Sequence, residues 1–236
     1  MIKTTIPKVD NFRLHYWDGA ELVGSHLLPK LKPQKLIPHD VVSFNERNSV
    51  RNPETHWLDF FIDDVGFETF WDASYLGVRD SSVLLERYWK RMDQYMAKLK
   101  QFEGVIATDY SMLPEMLPDQ SNWNCTRNHI TAWRLEQAGI PTIPVASWRD
   151  LPDLDWCFDG FAEDSSIAIS TNGCLSSNWG KGLLIEGTKE LINQKSPYAL
   201  IVCGRELEEL NELHNNIIYY PSFSQRWQER SDRHGK

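Results

Sequence analysis

Short apolar runs separated by helical segments are the feature of this sequence that most constrains its fold. The runs cover residues 104–109, 141–147, 166–171, 198–204 and 216–220. They do not alternate apolar with polar residues, so each has the composition of a strand that is buried on both faces. Strands of this kind, joined by helices, form a mostly parallel sheet. The sequence therefore predicts an α/β fold, either as an open three-layer sheet or as a barrel-like arrangement.

Helical periodicity is clearest in residues 81–102. Apolar side chains recur there at spacings of three and four, at Leu85, Tyr88, Trp89, Met92, Tyr95, Met96 and Leu99. This spacing predicts a helix with one apolar face. Further helices are predicted at 120–138, 182–193 and 205–214, so helices and strands alternate along the chain.

The two ends of the chain differ from its middle. Prolines at positions 7, 29, 33, 38 and 53 interrupt any helical period in residues 1–55, which favours an irregular N-terminal arm packed on the rest. Residues 222–236 hold four basic and two acidic side chains and predict a basic C-terminal tail. Between them, residues 56–221 are expected to form the α/β domain.

Net charge limits the partners that we expect. The chain carries 25 Lys and Arg against 33 Asp and Glu, a formal charge of −8, which disfavours nucleic acid as a partner although Trp227 and its neighbouring arginines could contact phosphates. The sequence lacks a run of about 18 apolar residues and an apolar N-terminal signal segment. We therefore expect a cytoplasmic protein, no membrane association, and a small molecule or another protein as partner.

Cysteine and histidine spacing gives no signature of a metal site or a nucleophile. The four cysteines form no C-x-x-C pair, and the seven histidines form no H-x-x-x-H pair. We interpret the cysteines as small buried side chains that stay reduced. Aspartate and glutamate are then the candidate groups for general acid and base catalysis.

Aspartates at predicted strand ends are the candidate catalytic groups. Ligands of parallel α/β folds bind at the carboxyl ends of the strands, where Asp109 and Asp150 are expected, with Asp159 following in a turn. Asp63 and Asp64 would join them at the end of a further strand. Converging carboxylates could act as general acid and base or hold a divalent cation. In the alternative interpretation, each aspartate caps the helix or turn that follows it.

Polar and aromatic residues near the same ends are the candidate substrate-binding groups. Asn124, Arg127 and Asn128 share one face of the predicted 120–138 helix, an arrangement that suits a polar or anionic ligand and equally suits a solvated face. Lys181 lies between two glycines at the start of a helix, where an anion could bind, although the loop does not match a Walker A motif. The full set is Ser111, Trp123, Asn124, Arg127, Asn128, Trp148, Thr171 and Lys181.

An ordered series of motifs runs through residues 55–221. It comprises Phe61-Ile62-Asp63-Asp64, Thr108-Asp109-Tyr110-Ser111, the 123–128 segment, the 139–148 segment, Phe158-Asp159-Gly160, Ala168-Ile169-Ser170-Thr171 and Val202-Cys203-Gly204. This series resembles a family of bacterial, plasmid and phage proteins that is defined as a domain of unknown function. The resemblance implies a single-domain protein carried on mobile elements and implies no particular activity. Cys203 departs from the pattern, since an aromatic residue is expected before Gly204.

Two functions are compatible with these features. In the first, the aspartates line a cleft walled by Trp123 and Trp148 and catalyse hydrolysis or group transfer on a sugar, nucleotide or nucleic-acid-derived substrate. In the second, the chain is a non-catalytic binding protein or inhibitor of a host defence or replication protein. Convergence of the aspartates in one place favours the enzyme, and their dispersal as caps favours the binding protein.

Overall fold

Parallel strands of two to five residues form the framework of this structure, a computed structural model that describes residues 13–60, 81–222 and 225–226. The strands are β1 (Leu22–Val23), β2 (Leu28–Pro29), β3 (Val41–Ser43), β4 (Trp57–Asp59), β5 (Gly104–Ile106), β6 (Thr142–Ile143), β7 (Ser166–Ser170), β8 (Ala199–Cys203) and β9 (Ile217–Tyr220). The helices are α1 (Ser81–Leu99), α2 (Pro118–Gln137), α3 (Asn178–Lys195) and the single turn α4 (Glu208–Asn211). The predicted α/β class is confirmed.

The order of the strands in the sheet follows their order in the chain. Strands β3 to β6 form one parallel ladder and β7 to β9 another, while β1 and β2 form a separate antiparallel hairpin. A parallel bridge between Val145 and Ala168 joins the two ladders, and Ala168 N donates to Pro144 O at 2.8 Å. The seven strands β3 to β9 therefore run side by side without the reversal of order that defines an open doubly wound sheet.

The outermost strands, β3 and β9, are connected through side chains. The hydroxyl of Tyr220, at the end of β9, donates to the Pro38 carbonyl just before β3. Farther along, Arg226 Nη1 donates to the Val41 carbonyl of β3 at 2.6 Å. These bonds bring the first and last strands together and favour the barrel-like alternative of the predicted fold.

The interior of the sheet is built from the apolar runs that the sequence contains. Every residue of β4, β5 and β8 is buried. The predicted apolar face of α1 is buried as well, with Tyr88, Trp89, Met92 and Leu99 at most 2% exposed. Strands with two buried faces need cover on both sides, which explains why the apolar runs show no alternation.

Several predicted elements differ in length from the observed ones. The predicted strand at 141–147 is reduced to Thr142–Ile143 and the bridge at Val145, because Pro141 and Pro144 have no N–H to donate to a ladder. The predicted helix at 205–214 is only the turn Glu208–Asn211.

The beginning of the sheet and of α3 also differs from the prediction. The N-terminal region is irregular, as predicted, except that it supplies β3 to the sheet, a strand too short to produce a recognisable pattern. Helix α3 begins four residues earlier than predicted, since the Ser177 side chain accepts a hydrogen bond from Gly180 N at 3.0 Å. In the part of the chain that the structure describes, no helix is both long and apolar enough to cross a membrane.

The contact between β4 and β5 gives a test of the packing. Gly104 lies opposite Trp57 in the ladder, and a Cβ at position 104 would come within 2.4 Å of the Trp57 ring. We predict that Gly104→Ala lowers the free energy of unfolding by about 1–3 kcal/mol, because the buried indole must move. Gly182→Ala is the matched control, since a Cβ there meets no atom within 4 Å and should stabilise helix α3 by about 0.4–1 kcal/mol. Urea denaturation measures both, and equal stability of the Gly104 variant and the parent would contradict the packing.

Candidate functional site

The carboxyl ends of β4 and β8 each present a buried polar side chain. Strand β4 ends at Asp59, which is 2% exposed, and β8 ends at Cys203, which is 1% exposed. Asp109 follows β5 after three residues and is half-buried. Because the strands are parallel, all three residues belong to the same edge of the sheet, where ligands of such folds bind.

The pKa of the Cys203 thiol is affected by charged groups near this edge. Burial raises the pKa of the thiol well above its ordinary value, the Asp59 and Asp109 carboxylates raise it further, and the Arg226 guanidinium lowers it. Asp59 and Asp109 come from the first half of the sheet, whereas Arg226 follows its last strand. Strands β4 and β5 pair through Asp59 and Ile106, three residues before Asp109, and strands β8 and β9 pair through Cys203 and Tyr220. We call Asp59, Asp109, Cys203 and Arg226 the strand-end site.

The loops that follow β7 and β8 form another side of the site. Burial raises the pKa of Cys174, in the loop after β7, to about 11, and the Asp109 carboxylate adds to this shift. Thr171 Oγ1 donates to the Arg205 carbonyl at 3.0 Å. Gly204 has a φ of +125°, and a Cβ there would lie 2.3 Å from Thr171 Oγ1. Thr171, predicted as a substrate-binding residue, thus holds the ends of β7 and β8 close together.

Asp59 and Asp109 differ in their access to solvent. A buried and a half-buried carboxylate have different environments, which is the condition under which two acids take different roles as proton donor and acceptor. Among the described residues, no group of three or more His, Cys, Asp or Glu side chains could hold a metal ion. The divalent cation stays a prediction, and Asp63 and Asp64, which were expected to join this edge, lie outside the described residues.

The other two predicted catalytic aspartates have different surroundings. Asp150 is exposed and caps the short helix Leu151–Asp155, with its Oδ1 accepting from Leu151 N at 2.8 Å. Asp159 packs against the hairpin of β1 and β2, where a Cβ on Gly24 would lie 1.9 Å from Asp159 Oδ2. Of the three predicted catalytic aspartates, the strand-end site contains Asp109.

The amide side chains of α2 hold the loop that carries Asp109. Asn128 Oδ1 accepts from Tyr110 N at 2.7 Å, and its Nδ2 donates to Tyr110 O and to Ser147 Oγ, both at 3.2 Å. Asn124 Nδ2 donates to the Ser111 carbonyl at 2.7 Å. These bonds fix the backbone on the C-terminal side of Asp109. Asn124 and Asn128, predicted to bind substrate, therefore position a residue of the site.

Arg127 is buried between helices α1 and α2. Its side chain pairs with Glu86 and donates to Asn124 Oδ1, and its guanidinium lies 3.8 Å from the centre of the Tyr110 ring. Trp123, beside it, meets the Trp89 ring nearly at a right angle at 5.5 Å. Both side chains contribute to packing between the helices.

Lys181 and Trp148, two further predicted ligand-binding residues, also have partners within the chain. Lys181 Nζ lies 2.6 Å from Glu209 Oε1, and this hydrogen bond lowers the pKa of Glu209. Trp148 Nε1 donates to the Leu183 carbonyl at 3.2 Å, and its ring meets Phe158 edge-on. An anion at Lys181 would have to displace Glu209.

The described cysteines are free and mostly buried, as predicted. Cys125, Cys157 and Cys203 are buried and Cys174 is half-buried. Burial raises the pKa of all four thiols. His129 is buried beside Cys125, and burial lowers its pKa to about 4. Its ring stacks on Phe161 at 4.6 Å, so a neutral imidazole is part of the core.

Sequence reasoning did not identify Asp59 or Arg226 as site residues. Asp59 is a charged residue inside the apolar run 57–62, and this exception to the hydrophobic pattern is the signal that could have identified it. Arg226 was assigned to a basic tail. Its contact with Val41 depends on the closure of the sheet, which leaves no local pattern in the sequence.

Comparisons with known proteins place this chain among phage sequences. A family profile described as a domain of unknown function (DUF4417) matches residues 75–221, which confirms the resemblance. The Gene 1 protein of Mycobacterium phage D29 is 26% identical over 187 residues, which cover 77% of this chain and 62% of that protein. This chain thus spans less than two thirds of the D29 relative. The Gene 1 protein of Mycobacterium phage L5 is 26% identical over 222 residues, 92% of this chain and 89% of the relative. No solved structure matches.

Removing the Asn128 amide tests its role in holding the Asp109 loop. Asn128→Ala leaves the buried N–H and carbonyl of Tyr110 without these partners, and each unsatisfied group costs about 1–3 kcal/mol. We predict a loss of about 2–4 kcal/mol in the free energy of unfolding, measured by chemical denaturation. Asn122→Ala on the same helix is the control and should change it by less than about 1 kcal/mol. A loss as small as that of the control would contradict the proposed clamp.

His129 predicts a pH dependence of stability. Its pKa is lowered from 6.5 to about 4 in the folded protein, so the unfolded chain binds a proton before the folded chain does. Stability is therefore complete above pH 6.5 and falls as the pH decreases toward 4, by up to about 1.4 kcal/mol per pH unit. Unfolding free energies measured from pH 7 to pH 4.5 should fall less steeply for His129→Gln than for the parent. Equal slopes would show that His129 titrates normally in the folded state.

Proposed function

This chain belongs to the DUF4417 family, and we propose that it is an enzyme that uses the strand-end site for hydrolysis or group transfer on a sugar, nucleotide or nucleic-acid-derived substrate. One observation carries the proposal. Asp59 ends strand β4 and Asp109 follows the neighbouring parallel strand β5, with Asp59 opposite Ile106 in the ladder, at the carboxyl edge of the sheet. Two acids at that edge are a common basis for proton transfer during catalysis.

The different burial of the two acids assigns their roles. Asp109 is half-buried, and its backbone is fixed by Asn128, so its carboxylate is the group placed to contact substrate. Asp59 is 2% exposed and lies opposite Ile106, three residues before Asp109 in the chain. In hydrolysis, one carboxylate accepts a proton from the attacking water while the other acid donates a proton to the leaving group. Asp109, the more exposed of the two acids, is therefore the one that exchanges a proton with water or substrate, and Asp59 is the second carboxyl group of the pair.

Polar hydroxyl groups suit the strand-end site. Carboxylates accept hydrogen bonds from hydroxyls, and sugars present several of these on one face. The two cations predicted to bind an anionic ligand are already paired, Arg127 with Glu86 and Lys181 with Glu209. Recognition of a sugar or ribose moiety by Asp109 is therefore favoured over recognition of an anion by Arg127 or Lys181.

Exposed leucines favour a second function, a binding protein without catalysis. Leu117 is 67% exposed and Leu151 is 53% exposed. The loops that carry them are joined, because Arg149 Nη1 donates to the Met116 carbonyl at 3.2 Å. Neighbouring exposed apolar side chains are typical of surfaces that bind another protein. A host protein would then cover this surface, and the aspartates would serve only the fold.

Thermal unfolding in the presence of candidate ligands tests the enzyme proposal. We expect a sugar, nucleoside or nucleotide to raise Tm by about 5 °C or more near 100 times its Kd, because a ligand that binds only the folded state stabilises it. The shift should disappear in Asp109→Asn and persist in Asp150→Asn, which removes an exposed aspartate that only caps a short helix.

Two results would contradict the enzyme proposal. If the Asp109→Asn variant keeps the full shift, the ligand binds elsewhere. If no ligand changes the Tm of the parent protein, the binding protein is the better account. Its direct test is then loss of host-protein binding in Leu117→Ser and Leu151→Ser.

A further inference from the structure

Arg226 is a buried cation from a segment that the sequence assigns to a solvated tail. Its side chain is 14% exposed. Nη1 donates to the Val41 carbonyl at 2.6 Å, and Nη2 lies 4.0 Å from Glu46 Oε2, which is an ion pair but too long for a hydrogen bond. The guanidinium is therefore fixed on β3 through Nη1.

Two donors of this guanidinium, Nε and Nη2, are not used by the bond to Val41. Within residues 13–60, 81–222 and 225–226, Nε and Nη2 of Arg226 are buried and have no hydrogen-bond partner. Burying donors of a charged group without acceptors costs free energy, so such groups normally have a partner. Nε and Nη2 form a planar fork that matches two oxygens of a phosphate or carboxylate.

The location of Arg226 connects this fork to the strand-end site. Arg226 bonds to Val41 of β3, which pairs with β4, the strand that ends at Asp59. Its charge also lowers the pKa of the Cys203 thiol. A molecule bound at Asp109 could therefore extend one group toward Arg226. Arg149 pairs with Asp153 at 3.3 Å and Lys181 with Glu209 at 2.6 Å, whereas the ion pair of Arg226 with Glu46 is longer, at 4.0 Å.

We infer that Arg226 is the phosphate-binding residue of the strand-end site and that the substrate is a small phosphate-bearing molecule, a sugar phosphate or a nucleotide. The identity of the substrate rests on the proposed function, whereas phosphate binding by Arg226 can be tested without it. Glu46 sets the strength of this binding. Its carboxylate lies next to the fork, so it partly neutralises Arg226 and repels an incoming phosphate.

Inorganic phosphate is the first probe, titrated against the full chain and followed by calorimetry. We expect Arg226→Gln to weaken phosphate binding at least tenfold and Arg226→Lys to weaken it less. Glu46→Gln should strengthen binding several-fold, because the amide still offers an acceptor to Ser43 N but no longer carries a charge. A variant that only disturbs folding would not bind phosphate more tightly, so the Glu46 variant separates a role in binding from a role in stability.

Lys181→Gln is the control for a site at the start of α3. It should leave phosphate binding unchanged. The inference is overturned if the parent protein does not bind phosphate, if Arg226→Gln binds it as well as the parent does, or if binding is lost in Lys181→Gln instead.

Matched ligand pairs extend the test to the substrate. Ribose is compared with ribose 5-phosphate, and adenosine with adenosine monophosphate. We expect the phosphorylated member of a pair to bind at least tenfold tighter to the parent and about equally to Arg226→Gln. If both members bind equally to the parent through Asp109, this inference fails and the proposed function stands. If phosphate binds at Arg226 but no ligand depends on Asp109, the proposed function fails and phosphate binding stands.

Discussion

The closure of β9 on β3 is the interaction on which the rest of this structure depends. Two side-chain contacts make it, from Tyr220 to the Pro38 carbonyl and from Arg226 to the Val41 carbonyl. A parallel sheet that follows chain order would otherwise leave its first and last strands at opposite edges. These contacts instead place Arg226 on β3, next to the strand that ends at Asp59. The family match covers β5 to β9 but excludes Asp59 and Arg226, so the site needs more of the chain than the matched residues.

Charged side chains and amide side chains have different roles at the strand ends. Asp59 and Arg226 carry opposite charges into a largely buried region, where either charge alone would be costly. The amides of Asn124 and Asn128 are neutral and satisfy the backbone of the loop that carries Asp109. A fixed loop lets one half-buried carboxylate face the site at little entropic cost. The polar face of α2 is thus a support for the site, and the charged groups provide its chemistry.

Much of the fold could be predicted from the sequence, because continuous apolar runs determine β5, β7 and β8 and a strict helical period determines α1. The short strand β3 and the closure of the sheet could not, since they depend on contacts between residues far apart in the chain. Asp109 was predicted at the strand end. Asp150 has the same local sequence pattern, but it caps a short helix. The sequence does not distinguish an aspartate that ends a strand from one that begins a helix. The stripe of Asn124, Arg127 and Asn128 was recognised, but its partners lie in a distant loop and helix, and no spacing rule could assign them.

A double-mutant cycle on Asp59 and Asp109 tests the central claim most directly, because it measures whether the two carboxylates share one site. The free energy of unfolding is compared for the parent, Asp59→Asn, Asp109→Asn and the double variant at low salt. If the two carboxylates lie together, each single substitution removes the repulsion between them. The double variant gains this stabilisation only once. The double variant should then be less stable than the sum of the single effects by at least about 0.5 kcal/mol. Additivity within about 0.3 kcal/mol would show that the two acids act independently and would contradict a shared strand-end site.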